Sequence, residues 1–143
     1  MKLSVEINNL TRKKISQTRL TEITKDVIKY AKFKAGSLSL SVVFVGKSRI
    51  KNLNQTYRKK NKETDILSFN YSLGYNAKKR DGQAALEGEL IICPDVIAQS
   101  AKKHKVDFEK ELAFVFSHGI LHLFGFRHSK RMYSIQDKIS EKN

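Results

Sequence analysis

Three of the chain's four histidines fall within one short run, His118-Gly119-Ile120-Leu121-His122-Leu123-Phe124-Gly125-Phe126-Arg127-His128. Residues four apart share one face of a helix, one turn above the other. His118 and His122 can therefore offer two nitrogens to a single ion. Gly125 can enter a left-handed conformation at little cost, and a turn there lets His128 swing back as a third ligand. Three neutral imidazoles suit zinc, and also nickel, cobalt or iron. A fourth position left to water separates a catalytic zinc site from a closed structural one. The histidines interrupt a stretch that is otherwise almost wholly apolar, where an unpartnered imidazole costs free energy. A shared divalent ion, Zn2+ first among the candidates, accounts for all three. His104, in the basic run with Lys102, Lys103 and Lys105, reads as a solvated residue.

The spacing resembles the zinc-protease pattern His-Glu-x-x-His-x-x-Gly-x-x-His. Gly119 stands where that pattern has its glutamate base, and glycine has no side chain to accept a proton, so peptide hydrolysis by that route is disfavoured. The charge points elsewhere. Lys and Arg number 28 against 14 Asp and Glu, a formal net charge of +14. Such a field attracts polyanions and speeds encounter with them. Arg58, Lys59, Lys60 and Lys62 form one cluster, Lys78, Lys79 and Arg80 another, and Arg127, Lys130 and Arg131 flank the last histidine. Phosphate contacts of this kind give affinity without sequence information. Nucleic acid or a ribonucleoprotein is favoured over an anionic membrane, because no basic amphipathic segment stands apart from the fold.

The elements that must position these groups alternate along the chain. A length of 143 residues fits one domain, 1–143. Leu3, Val5 and Ile7 alternate as in a strand. A helix is predicted from about Lys14 to Phe33, closed by Gly36, and a strand from Leu38 to Val45. Ser48 is placed to cap a short helix reaching Tyr57. Ile66 to Tyr71 reads as a strand, Leu73 to Leu86 as a polar loop, and Leu90 to Cys93 as another strand. Pro94 can open a helix. Asp107 can cap the next, with Glu109 and Glu111 in its first turn; this helix is apolar nearly all round and should be central. A last helix runs from about Lys130 to Ile139. The fold class is α/β or α+β, a small sheet covered by helices. The lone Cys93 excludes an internal disulfide and is compatible with a reducing compartment. With no signal-peptide pattern at Met1 to Asn8 and no apolar run long enough to span a membrane, a cytoplasmic location is expected.

Beyond the histidine run, Tyr57-Arg58, Thr64-Asp65-Ile66-Leu67-Ser68-Phe69 and Gly88-Glu89-Leu90-Ile91-Ile92 are similar, in order and separation, to the motifs of the YbeY endoribonuclease family of rRNA maturation factors. The resemblance covers nearly the whole chain. It implies an α+β fold with a mostly parallel four-stranded sheet and about five helices, the metal site lying on the central apolar helix. It implies a metal-dependent, single-strand-specific endoribonuclease acting in small-subunit rRNA 3′-end processing, other rRNA maturation and ribosome quality control. The three histidines become zinc ligands and Arg58 a catalytic residue. The small ribosomal subunit and a ribosome-assembly GTPase become expected partners. The chain departs from the family at Arg127, where aspartate is usual, and lacks the acidic stretch that commonly follows the third histidine.

Within that picture Arg58 can clamp a scissile phosphate with its planar fork of donors. Ser68, Tyr75 and Arg127 are candidate substrate contacts, with Tyr75 placed to stack on an unpaired base; Phe69 and Tyr71 can stack too, though Phe69 reads more simply as core. Asp65 and Glu89 are candidates to orient a ligand histidine. Nothing signals an obligate oligomer. Three other readings remain: a hydrolase of another phosphoester, an RNA-binding assembly protein with a structural metal, and, least favoured, a zinc peptidase.

Overall fold

Leu38, Leu40, Val42 and Phe44 alternate with partly exposed residues along one strand and are all buried. This strand is one of the two inner strands of the sheet. A computed structural model of the chain describes residues 1–72 and 84–143. Its elements are β1 (Lys2–Asn9), α1 (Gln17–Ala31), β2 (Ser37–Phe44), α2 (Lys47–Arg58), β3 (Ile66–Asn70), β4 (Ala85–Ile92), α3 (Pro94–His104), α4 (Phe108–Leu123) and α5 (Lys130–Lys142). The four-stranded sheet has the order β1-β2-β4-β3. The first three are parallel and β3 is antiparallel to β4. This is the mostly parallel four-stranded sheet with five helices that the family resemblance implied.

The main core lies between one sheet face and helices α1, α4 and α5. A smaller cluster of Val45, Ile50, Leu67, Ile91 and Cys93 covers part of the other face, where α2 packs through Ile50 and Leu53. Helix α4 is buried on almost every side and touches α1, α3, α5, β3 and β4. Asp107 caps it by accepting from the Lys110 N–H at 2.8 Å. Among the described residues no helix is long and apolar enough to cross a membrane.

Several boundaries differ from the sequence reading. Helix α1 starts at Gln17, because Ser16 accepts from the Arg19 N–H and serves as its cap. It ends at Lys32 in a left-handed conformation (φ 52°), not at Gly36. Lys59 and Lys105 close α2 and α3 in the same way, both at φ 57°. Gly46, not Ser48, occupies the cap of α2. Strand β4 begins at Ala85, earlier than Leu90, so the end of the expected 73–86 loop is strand. Leu86, Gly88 and Leu90 are its inward positions; Glu87 and Glu89 interrupt the apolar pattern because they point to the other face.

Two glycines set how near α4 comes to the sheet. A Cβ on Gly119 would lie 2.5 Å from Ile66 Cδ1 and 2.9 Å from Leu90 Cδ2, and one on Gly88 would lie 2.6 Å from Leu123 Cδ1. Gly119→Val adds two methyls beyond that Cβ and overpacks the seam. We expect a loss of about 1–3 kcal/mol, read as a lower urea midpoint with an unchanged slope. An unchanged midpoint would show that the seam is slack.

Candidate metal centre

The sequence places His118 and His122 one turn apart on α4, and the helix delivers them together: their Nε2 atoms lie 2.9 Å apart. Gly125 adopts φ 88°, its N–H bonds the His122 carbonyl, and the Phe126 N–H bonds the Leu121 carbonyl. This reversal returns His128 to the other two. Ring centroids are 4.3 Å apart for His118 and His122, 5.2 Å for His118 and His128, and 5.1 Å for His122 and His128. One nitrogen from each ring lies within 4.8 Å of the others. Ligands at zinc–nitrogen distances in a tetrahedral site stand roughly 3.3–3.4 Å apart, so a small adjustment of the rings seats one ion.

The far side of each ring supports the same reading. His122 Nδ1 is 3.2 Å from the Phe126 carbonyl oxygen. His128 Nδ1 is 3.0 Å from Tyr133 Oη. The Gln136 side chain lies close enough to His118 to favour its protonated form. Gln136 is fully buried, its Nε2 donates to the Phe114 carbonyl at 3.3 Å, and its Oε1 is a buried acceptor with no hydrogen-bond partner. An imidazole that donates through Nδ1 keeps its Nε2 lone pair for a metal. Burial, with the charge of His122 adding to it, holds His118 below its ordinary value against the pull of Gln136. Burial also lowers His122, opposed by the Phe126 carbonyl and assisted by the charges of His128 and Arg58. Both rings thus favour the neutral, ligating form. The donor set fits one divalent ion, and zinc first.

The histidines line a cleft of about 720 Å³ together with Tyr57, Arg58, Thr64, Asp65, Ser68 and other residues of β3 and α4. Arg58 ends α2 and is exposed at the rim. Tyr57 is 62% exposed and sets its ring edge-on to Phe69 at 5.2 Å. Phe69 is half-buried in the smaller cluster, and Tyr71 stacks on it. Thr64, Asp65 and Ser68 all face the cleft.

Other sequence candidates lie elsewhere. Glu89 sits on the sheet face turned away from α4 and accepts from the Tyr71 hydroxyl at 3.0 Å; it does not orient a histidine. Arg127 is exposed in the turn and is not part of the cleft wall. Tyr75 lies outside the described residues. Arg131 is held by the Ala31 carbonyl and the face of Phe126, so it ties α5 to α1. His104 is not simply solvated: its Nδ1 is 2.8 Å from the buried Glu111 carboxylate. The residues missed are Tyr133, which meets His128, and Gln136, which lies beside His118. Only the 3.6-residue spacing of α5 hinted at them, since Gln136 follows the inward-facing Ile135.

The family model described as Endoribonuclease YbeY matches residues 6–142. A Thermosipho melanesiensis protein named Endoribonuclease YbeY is 35% identical over 111 residues, covering 73% of each chain. The protein of that name from Staphylococcus aureus is 36% identical over 127 residues, covering 80% of this chain and 81% of its own. The solution structure of a Thermotoga maritima protein superposes with a TM-score of 0.62 at 28% identity, over 96% of this chain and 87% of that one.

Two outcomes follow for the centre. Gln136→Leu and Tyr133→Phe should each weaken zinc affinity by about 10–100-fold without altering the helical circular dichroism, as read by competition with a chromophoric chelator; undiminished affinity would show that the rings need no support. Asp65 titrates differently. Burial raises its carboxyl above the ordinary 3.8, against the Ile66 N–H and the Thr64 hydroxyl. A carboxyl raised in the fold stabilises fully below its unfolded value, and that contribution is lost as pH rises through the folded one. Asp65→Asn should therefore gain stability over the parent as pH climbs from 4 to 7. A gap independent of pH would mean the carboxyl is not strained by ionisation.

Proposed function

The chain belongs to the endoribonuclease YbeY family, and on that premise we propose that it cuts unpaired RNA at the three-histidine centre during maturation of the small-subunit rRNA 3′ end and ribosome quality control. It is a metal-dependent endoribonuclease of rRNA processing. The observation that carries the proposal is the meeting of His118, His122 and His128 in a cleft with Arg58 at its rim.

A divalent ion held by the three neutral rings would keep its full charge and supply Lewis acidity toward a phosphoryl oxygen or a water. The protein's own groups do the rest. Arg58 is close enough to the centre for its charge to depress His122, and its forked donors can grip non-bridging phosphate oxygens as negative charge grows on them. Lys59, Lys60 and Lys62 continue the positive surface beyond the rim and are all exposed, which draws the RNA backbone toward the cleft. Tyr57 offers a ring on which a base can stack.

Among the described residues the cluster contains three ligands and no fourth, which favours a working metal over a structural one. Peptide hydrolysis is opposed by Gly119: the protease glutamate would have to enter the packed seam against Ile66 and Leu90. RNA and ribosome-related partners follow from the family. The small subunit itself and a ribosome-assembly GTPase are the specific partners proposed, in the cytoplasm.

The test compares single-stranded and duplex RNA with zinc-loaded, chelated, His122→Ala and Arg58→Ala protein. Cutting should be confined mainly to the single strand and abolished by chelation or His122→Ala. Arg58→Ala should lower kcat by about 10²–10³ with zinc still bound. Equal cleavage by all four preparations would assign the activity to a contaminant and sink the reading.

A further inference from the structure

Strand β3 is the outer strand beside the cleft, with β4 on one side only. In an antiparallel pair, residues alternate between turning both backbone groups toward the partner and turning both away. The Tyr71 N–H bonds the Glu87 carbonyl and the Cys93 N–H bonds the Asp65 carbonyl. The register pairs Leu67 with Ile91 and Phe69 with Glu89. Residues 65, 67, 69 and 71 therefore face β4, and Ile66 and Ser68 turn their N–H and C=O groups outward. Ile66 is buried, with the Asp65 carboxylate near its N–H. Among the described residues the Ser68 N–H and C=O have no partner. They lie in the wall of the cleft that holds the three histidines, with Ser68 exposed.

We propose that this free donor–acceptor pair of Ser68 binds the Watson–Crick edge of an unpaired base next to the scissile phosphate. The inference rests on the nuclease reading and deepens it. Each nucleobase carries a hydrogen-bond donor beside an acceptor on that edge, and in a duplex both are occupied by the complementary strand. A backbone N–H and C=O from one residue match such a pair whichever base presents it, with the base turned to suit. The contact admits any unpaired base and refuses a paired one. It gives strand selectivity without sequence selectivity. The exposed ring of Tyr57 in the same cleft offers the flat face of that base a stacking surface. An outward edge of backbone is a general docking feature, because its unpaired groups seek partners.

The geometry also supplies a clean probe. Proline is tolerated on an edge strand where its missing N–H would point outward, so Ser68→Pro deletes the proposed donor without breaking the ladder to β4. Ser68→Ala removes only the hydroxyl. Zinc-loaded proteins are titrated with a fluorescent single-stranded RNA at low temperature, and KM is measured for its cleavage. A second set of RNAs carries one abasic nucleotide on either side of the scissile phosphate. Ser68→Pro should weaken Kd and raise KM by about tenfold relative to Ser68→Ala, which carries the same loss of the hydroxyl, and that difference should vanish on one of the abasic strands. Ser68→Pro behaving like Ser68→Ala, or losing as much on both abasic strands as on intact RNA, would overturn the proposal. If Ser68→Pro does not fold, the parent decides: its Kd should weaken for one abasic strand, and indifference to both would equally overturn it. A parent that binds and discriminates these strands without cutting them would sink the nuclease reading and leave the base contact standing.

Discussion

Helix α4 must be buried on nearly every side and still present two imidazoles to a cleft, and the rest of the molecule is arranged around that requirement. Gly88 and Gly119 bring the helix hard against β3 and β4, closer than any side chain at those positions allows. That closeness sets the first two histidines beside the outer strand of the sheet. A buried imidazole has two polar nitrogens, and both must be satisfied or the helix loses stability. The fold answers with groups from the following turn and from α5: the Phe126 carbonyl meets His122 Nδ1, Tyr133 meets His128 Nδ1, and the buried Gln136 lies beside His118. The Nε2 side is then committed to one shared point. Burial works with this arrangement, since it keeps His118 and His122 in the neutral form that binds metal.

What was legible from the sequence was whatever has a local period or a local cap. The His118–His122 spacing, the turn at Gly125, Asp107 as a cap and Pro94 as a first helical residue all depend on neighbours within a few positions. The supports of the metal site do not. Tyr133 reaches back five residues across a turn, and Gln136 lies on α5 while the ring beside it lies on α4, a proximity nothing in the sequence signals. Glu89 shows a different failure: it lies inside a motif the family shares, yet the strand's two-residue period turns it away from α4. Leu86 and Leu90 facing inward already required that parity, but Gly88 hid it, because a glycine reads as a break until something is seen packing on it. The lysines that end three helices in left-handed backbone were invisible for the opposite reason. They take a position where glycine is the usual occupant, and nothing local marks them.

The charge of the chain was easy to read in sum and misleading in detail. Arg131 belongs to a basic cluster in sequence but is spent on the Ala31 carbonyl and the Phe126 ring. His104 looked solvated and instead partners a buried carboxylate. Arg58 is different, because the end of α2 sets it on the rim. There Asn54, fully buried, donates to the Lys62 carbonyl and its own carbonyl accepts the Lys60 N–H, which folds the basic loop back on the helix that carries the arginine. Position, not count, separates a phosphate contact from a solvated cation.

The arrangement divides recognition between two kinds of group. Cations and a metal centre recognise phosphate, which is the same in single and double strands, and so they supply affinity and chemistry without choosing between the two. Selectivity for unpaired RNA must come from something a duplex cannot offer, and the free edge of a base is such a feature. In the contact proposed above the donor and acceptor come from backbone, because the segment around Ser68 forms an outer strand with one side left open. A side chain could be tuned to one base; a peptide group cannot easily be. For the proposed cutting of unpaired RNA the less selective contact is the better suited, and the mostly parallel sheet with its single antiparallel outer strand is what places Ser68 beside the histidines.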